Sequence, residues 1–233
     1  MIIREEKCVG CGRCQPYCPT AAIRYDGLKS AIDQEVCYEC STCLRAAHCP
    51  VDAIAESPNV FDYPRALRRY FSDPSATHVA TGIQGRGTEE SKTNDVTLRV
   101  GPGEVGVAIE IGRPTLGMSI ADIQKITRAI ARAGVHKIEA HNPIHSMIAD
   151  EATGDLKPEM LGERVLSAII EIKVKRHELR GILRTLKEAA EEVDSVFCVD
   201  ACTIVEPGLK IPEDVLESIR AEGYTWRPNA KIN

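Results

Sequence analysis

The stretch CVGCGRCQPYCPT, residues 8–20, sets four cysteines within eleven positions and a proline directly after the last of them. Cys8, Cys11, Cys14 and Cys18 follow the spacing C-x2-C-x2-C-x3-C, with Pro19 next. Cys37, Cys40, Cys43 and Cys49 follow C-x2-C-x2-C-x5-C, with Pro50 next. The repeat runs past the thiols, because CPTAAI at 18–23 is answered by CPVDAI at 49–54. The segment is an internal duplication of about thirty residues, and any fold it takes has to accommodate two equivalent thiol sets.

At 233 residues and 43% apolar content, the chain is long enough for one large domain or two small ones with a normal core. No apolar run approaches the roughly 18 residues that span a bilayer, and the opening MIIREEK is charged from residue 4 with no apolar signal-peptide stretch behind it. These features predict a soluble cytoplasmic protein without a membrane partner. A net charge of −5 lacks the basic footprint of a nucleic-acid binder. In a reducing compartment such thiols are expected to bind metal or to catalyse, not to form disulfides.

Spacing separates the metal options. Zinc ribbons and fingers offer ligands in pairs, whereas each run here is a triplet followed by Cys-Pro. Two-residue gaps let three thiolates of one loop converge on three corners of an iron–sulfur cube, with Gly10 and Gly12 allowing close backbone approach to the sulfides. The fourth thiolate then comes from elsewhere. A pair of four-cysteine zinc sites and a [3Fe–4S] variant stand as the alternatives to two cubanes.

Residues 1–57 resemble the bacterial ferredoxins with two [4Fe–4S] clusters. The resemblance implies a small ferredoxin domain over 1–60. It also implies that Cys8, Cys11, Cys14 and Cys49 hold one cluster and Cys37, Cys40, Cys43 and Cys18 the other, the Cys-Pro thiolate of each run crossing to the other cluster. The sequence departs from its own first repeat in the gap LRAAH between Cys43 and Cys49, two residues longer than QPY. Cys49 still precedes a proline and is expected to remain a ligand on a wider loop, with the surroundings of its cluster altered. His48 reads as a partly exposed residue of that insertion. His141 and His145 are four apart, but Pro143 between them opposes the helix that would align them on a metal. Cys198 and Cys202 would lie about 13 Å apart on one strand face, too far to share an ion. They read as small buried hydrophobes.

Residues 61–78 read as a connector with a short helix and a basic cluster of Arg65, Arg68 and Arg69. That cluster either docks the cysteine-rich segment or forms a solvated helix face. Beyond it, Val105, Val107, Ile109 and Ile111 alternate with small or polar residues, predicting a half-buried strand over 104–112. Ser119 is a candidate N-cap for a helix carrying Ile120, Ile123, Ile126 and Ile130 and ending at Gly134. VHKIEA gives a weaker strand, VLSAIIEIKVK a third, residues 176–192 a second helix and SVFCVDACTIV a fourth strand. The expected class is α+β, with a βαββαβ ferredoxin-like sandwich over 79–233 whose element order is shared with ACT-type regulatory domains. The connection at 141–162 is too long for a plain loop and is expected to hold extra strands or a partner-binding excursion.

GPGEVG at 101–106 matches G-x-G-x-x-G, but an alternating pattern follows it where a dinucleotide site needs a helix, so it reads as a turn. In ATGIQGRGTEESKTND, residues 80–95, Gly82, Gly85 and Gly87 around Arg86 are candidates for an amide nest holding a phosphate, a flavin or an acidic partner surface, or for a plain loop. This stretch and the closing RPNAKIN resemble the part beside the ferredoxin module in 6-hydroxynicotinate reductase-type proteins. The expected function is an electron-transfer subunit serving a redox partner protein or catalytic subunit, with the C-terminal domain docking that partner or forming a homodimer. Two other readings are a reductase component whose Gly-rich loop binds flavin or substrate, and a redox-responsive regulator with an ACT-like sensing domain.

Overall fold

The computed structural model describes residues 1–84, 97–112, 116–135 and 137–225. In the cysteine-rich segment, β1 (Ile2–Ile3) pairs antiparallel with β4 (Ile54–Ala55), and β2 (Ile23–Tyr25) with β3 (Ser30–Ile32). The β2–β3 turn is drawn tight by Asp26, whose Oδ1 accepts from the amides of Leu28 and Lys29 at 2.8 and 2.7 Å. The insertion ahead of Cys49 is not an open loop. It winds into α1 (Thr42–Ala46), which takes Cys43 into a helix. A small core forms from Met1, Ala22, Ile23, Cys37, Cys43, Ala47 and Ile54, so two of the thiols are themselves core residues.

The basic stretch after it forms α2 (Ala66–Ser72). Leu67 and Phe71 of α2 belong to the second and much larger core, made by the rest of the chain. There β5 (Glu104–Ile111) is central, flanked by β10 (Ala168–Lys175) and β11 (Phe197–Thr203), both antiparallel to it. α3 (Ile120–Arg132) and α4 (Leu179–Glu192) share one core with Val105, Val107, Ile109 and Ile111 of β5 and with Ile170, Ile172 and Val174 of β10. The Ser119 hydroxyl caps α3 by accepting from the Asp122 amide at 3.1 Å. Gly134 ends it at φ +89°, a left-handed turn in which the Val135 amide reaches back to the Ile130 carbonyl.

Three features differ from the sequence reading. The strand expected at 135–140 contracts to a single bridge, Ile138 to Ile172, on the free edge of β10. The chain leaves that edge at once, because the Asn142 amide turns back to the Glu139 carbonyl and Asn142 then caps the 3-10 turn Pro143–Met147. β5 is buried on both faces, not one. Gly106, Ala108 and Glu110, on the face away from the helices, are all covered, and a Cβ on Gly106 would meet the Val100 side chain at 2.8 Å. Cys198 is exposed, not a core residue, because β11 is the other edge strand and its Cys198 side points away from the helices.

The long connection holds a hairpin of β7 (Ile148–Asp150) and β8 (Asp155–Leu156), and then β9 (Arg164–Val165), which pairs with β6 (Met118–Ser119). A last helix, α5 (Glu213–Ala221), follows β11 and packs Val215, Ile219 and the nearby Tyr224 onto the large core. Among the described residues no helix is long and apolar enough to cross a membrane.

Candidate metal centre

The loop carrying the first triplet is shaped by Gly10 and Gly12, both at φ +67°. Gly10 has no alternative, since a Cβ there would stand 1.8 Å from the Leu28 carbonyl oxygen. The loop thereby leans on the β2–β3 turn and opens a cavity lined by Cys8, Cys11, Cys14 and Cys49. Three of its cysteines come from one loop and the fourth from 35 residues beyond the triplet, next to Pro50.

Several features suit this cavity to a cluster. The Ser30 hydroxyl lines it, is buried, and bears on the Cys14 sulfur, lowering that thiol against the stronger upward push of burial. Such a donor fits a sulfur that ligates as a thiolate. Burial pushes the Cys14 thiol above its usual range. For Cys49, burial also acts upward, but the amides of Val51, Ala53 and Ile54 outweigh it and lower the thiol. The Ala53 amide donates to Cys49 Sγ at 3.3 Å, and the Ala22 amide donates to Cys18 Sγ at 3.2 Å in the corresponding place of the first repeat. Both Cys-Pro thiols therefore receive an N–H donor of the kind that tunes a ligating sulfur.

The second triplet is more deeply placed. Cys37 and Cys43 are buried, while Cys40 and Cys18 are partly exposed. Burial pushes the Cys43 thiol up to about 12, and the neighbouring sulfurs of Cys40, Cys37 and Cys18 push the same way. Cys18 thus lies with the second triplet, as Cys49 lies with the first. A thiol held so high stays protonated unless a cation takes the proton's place, which is what a bound iron does. Among the described residues no three His, Cys, Asp or Glu side chains converge on a point as ligands of one ion would. A cluster asks for no such convergence, because each thiolate binds its own iron.

The remaining candidates are dispersed. His48 is exposed on the insertion. His141 is exposed, and His145 faces Glu151 at 3.2 Å instead. Cys198 and Cys202 stand opposite Glu110 and Gly106 on β5, in the other part of the chain from the clustered thiols. Gly82 is exposed at φ +67°, its amide donating to the His78 carbonyl at 2.8 Å. Gly85, Arg86 and Gly87 lie outside the described residues. In GPGEVG, the Gly101 amide is held by the Glu104 carboxylate at 3.1 Å, making a turn into β5.

A 4Fe–4S binding domain matches residues 1–24. An uncharacterized ferredoxin of Methanocaldococcus jannaschii is 40% identical over 58 residues, which are 23% of this chain and 73% of that protein. The chain belongs to the 4Fe–4S ferredoxins. One component of an ion-translocating oxidoreductase complex from Methanosarcina acetivorans is 44% identical over 50 residues, 22% of this chain and 18% of that component. The pyruvate synthase subunit PorD of M. jannaschii is 39% identical over 56 residues, 24% of this chain and 63% of its own length. The chain thus spans less than two thirds of both oxidoreductase components, and the likeness is to their ferredoxin part. No solved structure matches the chain. The ferredoxin segment is an iron–sulfur electron-transfer domain, and the thiol-lined cavity is where its residues suit a [4Fe–4S] group.

Ser30 did not stand out in the sequence and was findable only as a small polar residue where β3 begins.

Proposed function

We propose that this chain is an electron-transfer subunit with two [4Fe–4S] clusters, the first held by Cys8, Cys11, Cys14 and Cys49 and the second by Cys37, Cys40, Cys43 and Cys18. The observation that carries the reading is the cavity that Cys49 shares with a triplet 35 residues away in sequence. When bound, each cluster accepts and releases one electron at a time. The residues of this chain supply the rest. The four thiolates neutralise and fix the irons, the Ala22 and Ala53 amides direct partial positive charge at sulfur, and the apolar walls from Ile3 and Ile54 keep water off the first cluster. Cys11, exposed beside Val9, marks the side where a redox partner approaches closest.

In this reading residues 1–60 are the electron-relay domain, 61–78 the connector, and 79–233 a βαββαβ domain that docks a catalytic subunit. What supports the βαββαβ reading is the sheet order, in which the Ile138 bridge, β10, β5 and β11 succeed one another. The named relatives that belong to oxidoreductase complexes support a partner of that class. The test is anaerobic purification with iron and sulfide analysis, followed by copurification from native cells. About eight irons and eight sulfides are expected. Two zinc ions with no iron would end the proposal.

A further inference from the structure

Helix α2 faces two ways. Its Leu67 and Phe71 enter the large core, while Arg68, only 3% exposed, turns toward the segment that leads into the second triplet. Arg68 Nη1 donates to the backbone carbonyls of Gln34 at 2.9 Å, Glu35 at 3.2 Å and Cys37 at 2.9 Å. Its Nε donates to the Glu163 carboxylate, forming an ion pair. The other connector arginines find their acids nearby, Arg65 in Glu39 and Arg69 in Glu56 and Asp73. Arg68 is paired across 95 residues of sequence, with an acid that closes the long connection before β9. A buried cation is thus set between a candidate ligand residue and a carboxylate of the distant half of the chain.

We propose that Arg68 is a positioning residue for the second cluster, whose guanidinium, held between the Cys37 carbonyl and the Glu163 carboxylate, sets that cluster's reduction potential and links it to the C-terminal half. This rests on the two-cluster reading. Adding an electron makes a cluster more negative, so a cation beside it favours the reduced form and raises the potential, while a carboxylate opposes that. Burial of the pair leaves little solvent to screen either charge. Removing the Arg68 charge leaves Glu163 facing the site and lowers the potential. Removing the Glu163 charge leaves Arg68 uncompensated and raises it. A role confined to packing predicts no such reversal of sign.

The experiment is an EPR-monitored redox titration of the full chain as wild type, Arg68→Met, Arg68→Lys and Glu163→Gln, with iron and sulfide counted for each. Arg68→Met should lower the midpoint of one cluster, Glu163→Gln should raise the midpoint of the same one, and Arg68→Lys should stay near wild type. The other cluster should move less in every variant. Absent shifts, shifts of one sign, or equal shifts of both clusters overturn the proposal. If Arg68→Met fails to hold iron, the direction of the Glu163→Gln shift decides alone. A wild-type chain that binds fewer than two clusters defeats the underlying reading instead, and the iron count reveals that before any titration.

Discussion

Gly10 and Gly27 both hold a left-handed backbone, at φ +67° and +94°, but their surroundings differ. A Cβ on Gly10 would stand 1.8 Å from the Leu28 carbonyl oxygen, whereas a Cβ on Gly27 would meet nothing within 4 Å. Alanine at either position takes on left-handed strain of about 1–2 kcal/mol. Gly10→Ala must in addition push the Leu28 carbonyl away by about 1.6 Å to reach ordinary contact. That carbonyl sits in the turn fixed by two hydrogen bonds to Asp26, so it yields only by deforming the turn. Overpacking of this kind costs about 1–3 kcal/mol more. Gly27→Ala is therefore expected to cost about 1–2 kcal/mol and Gly10→Ala about 2–5 kcal/mol. Thermal loss of the visible cluster absorption under anaerobic conditions gives the comparison, with Gly10→Ala bleaching at a clearly lower temperature. Equal transitions for the two variants would refute the claim that the first thiol loop is pressed against the β2–β3 turn.

Cys49→Ala should halve the iron and abolish the signal of the cluster associated with Cys8, Cys11 and Cys14, although Cys49 is nearer in sequence to the other triplet; an EPR spectrum lacking only the other signal would reverse the assignment. Cys198→Ala and Cys202→Ala should leave iron content unchanged, since both thiols lie on β11 outside the thiol-lined cavity; the exposed Cys198 should cost little stability and the half-buried Cys202 at most about 1 kcal/mol. Burial lowers the pKa of His78, packed against Tyr70 and Phe71, below its ordinary 6.5. The unfolded chain then takes up a proton that the folded chain refuses, so stability should fall as pH drops below about 6.5 toward the folded value. His78→Phe should flatten that slope in urea unfolding series at several pH values, and an unchanged slope would exclude His78 as its source.

The thiol spacing revealed the character of the site because ligand geometry is written locally in gaps of two and three residues. The expectation that Cys49 joins the first triplet came only through resemblance, since nothing in a spacing says which loop a fourth thiol meets. Periodicity located α3 and its cap at Ser119 because that helix has one apolar stripe. It misjudged β5, whose alternation of Val and Ile with Gly, Ala and Glu looks half-buried. Gly106 is small because Val100 lies on it, and Ala108 and Glu110 are buried on the same face. It also passed over α5, although Pro212, Glu213 and Asp214 ahead of Val215 and Ile219 make an ordinary helix start. The role of Arg68 was illegible for a different reason. Its partners are backbone carbonyls and an acid 95 residues away, and neither leaves a pattern in a linear text.

The two cores share no residues, and this makes iron a selective probe of the structure. In the small core Cys37 and Cys43 are ligand candidates and packing residues at once, so metal removal strips it of cross-links while burial holds the Cys43 thiol near 12 and neutral. The large core contains no cysteine and draws on β5, β10, α3 and α4. α2 lies between them, its apolar side chains in the large core and its arginines on the small one. Chelation should therefore release the ferredoxin segment, free Arg65, Arg68 and Arg69 from their partners within residues 1–57, and leave α2 docked through Leu67, Phe71 and the Arg68–Glu163 pair. Amide hydrogen exchange of chelator-treated protein reads this directly. Protection should collapse across residues 1–57 and persist in β5, β10, α3 and α4, with α2 retaining part of its own. Uniform loss of protection along the chain would show that the large core depends on the metal, and that α2 joins the two halves into one cooperative unit.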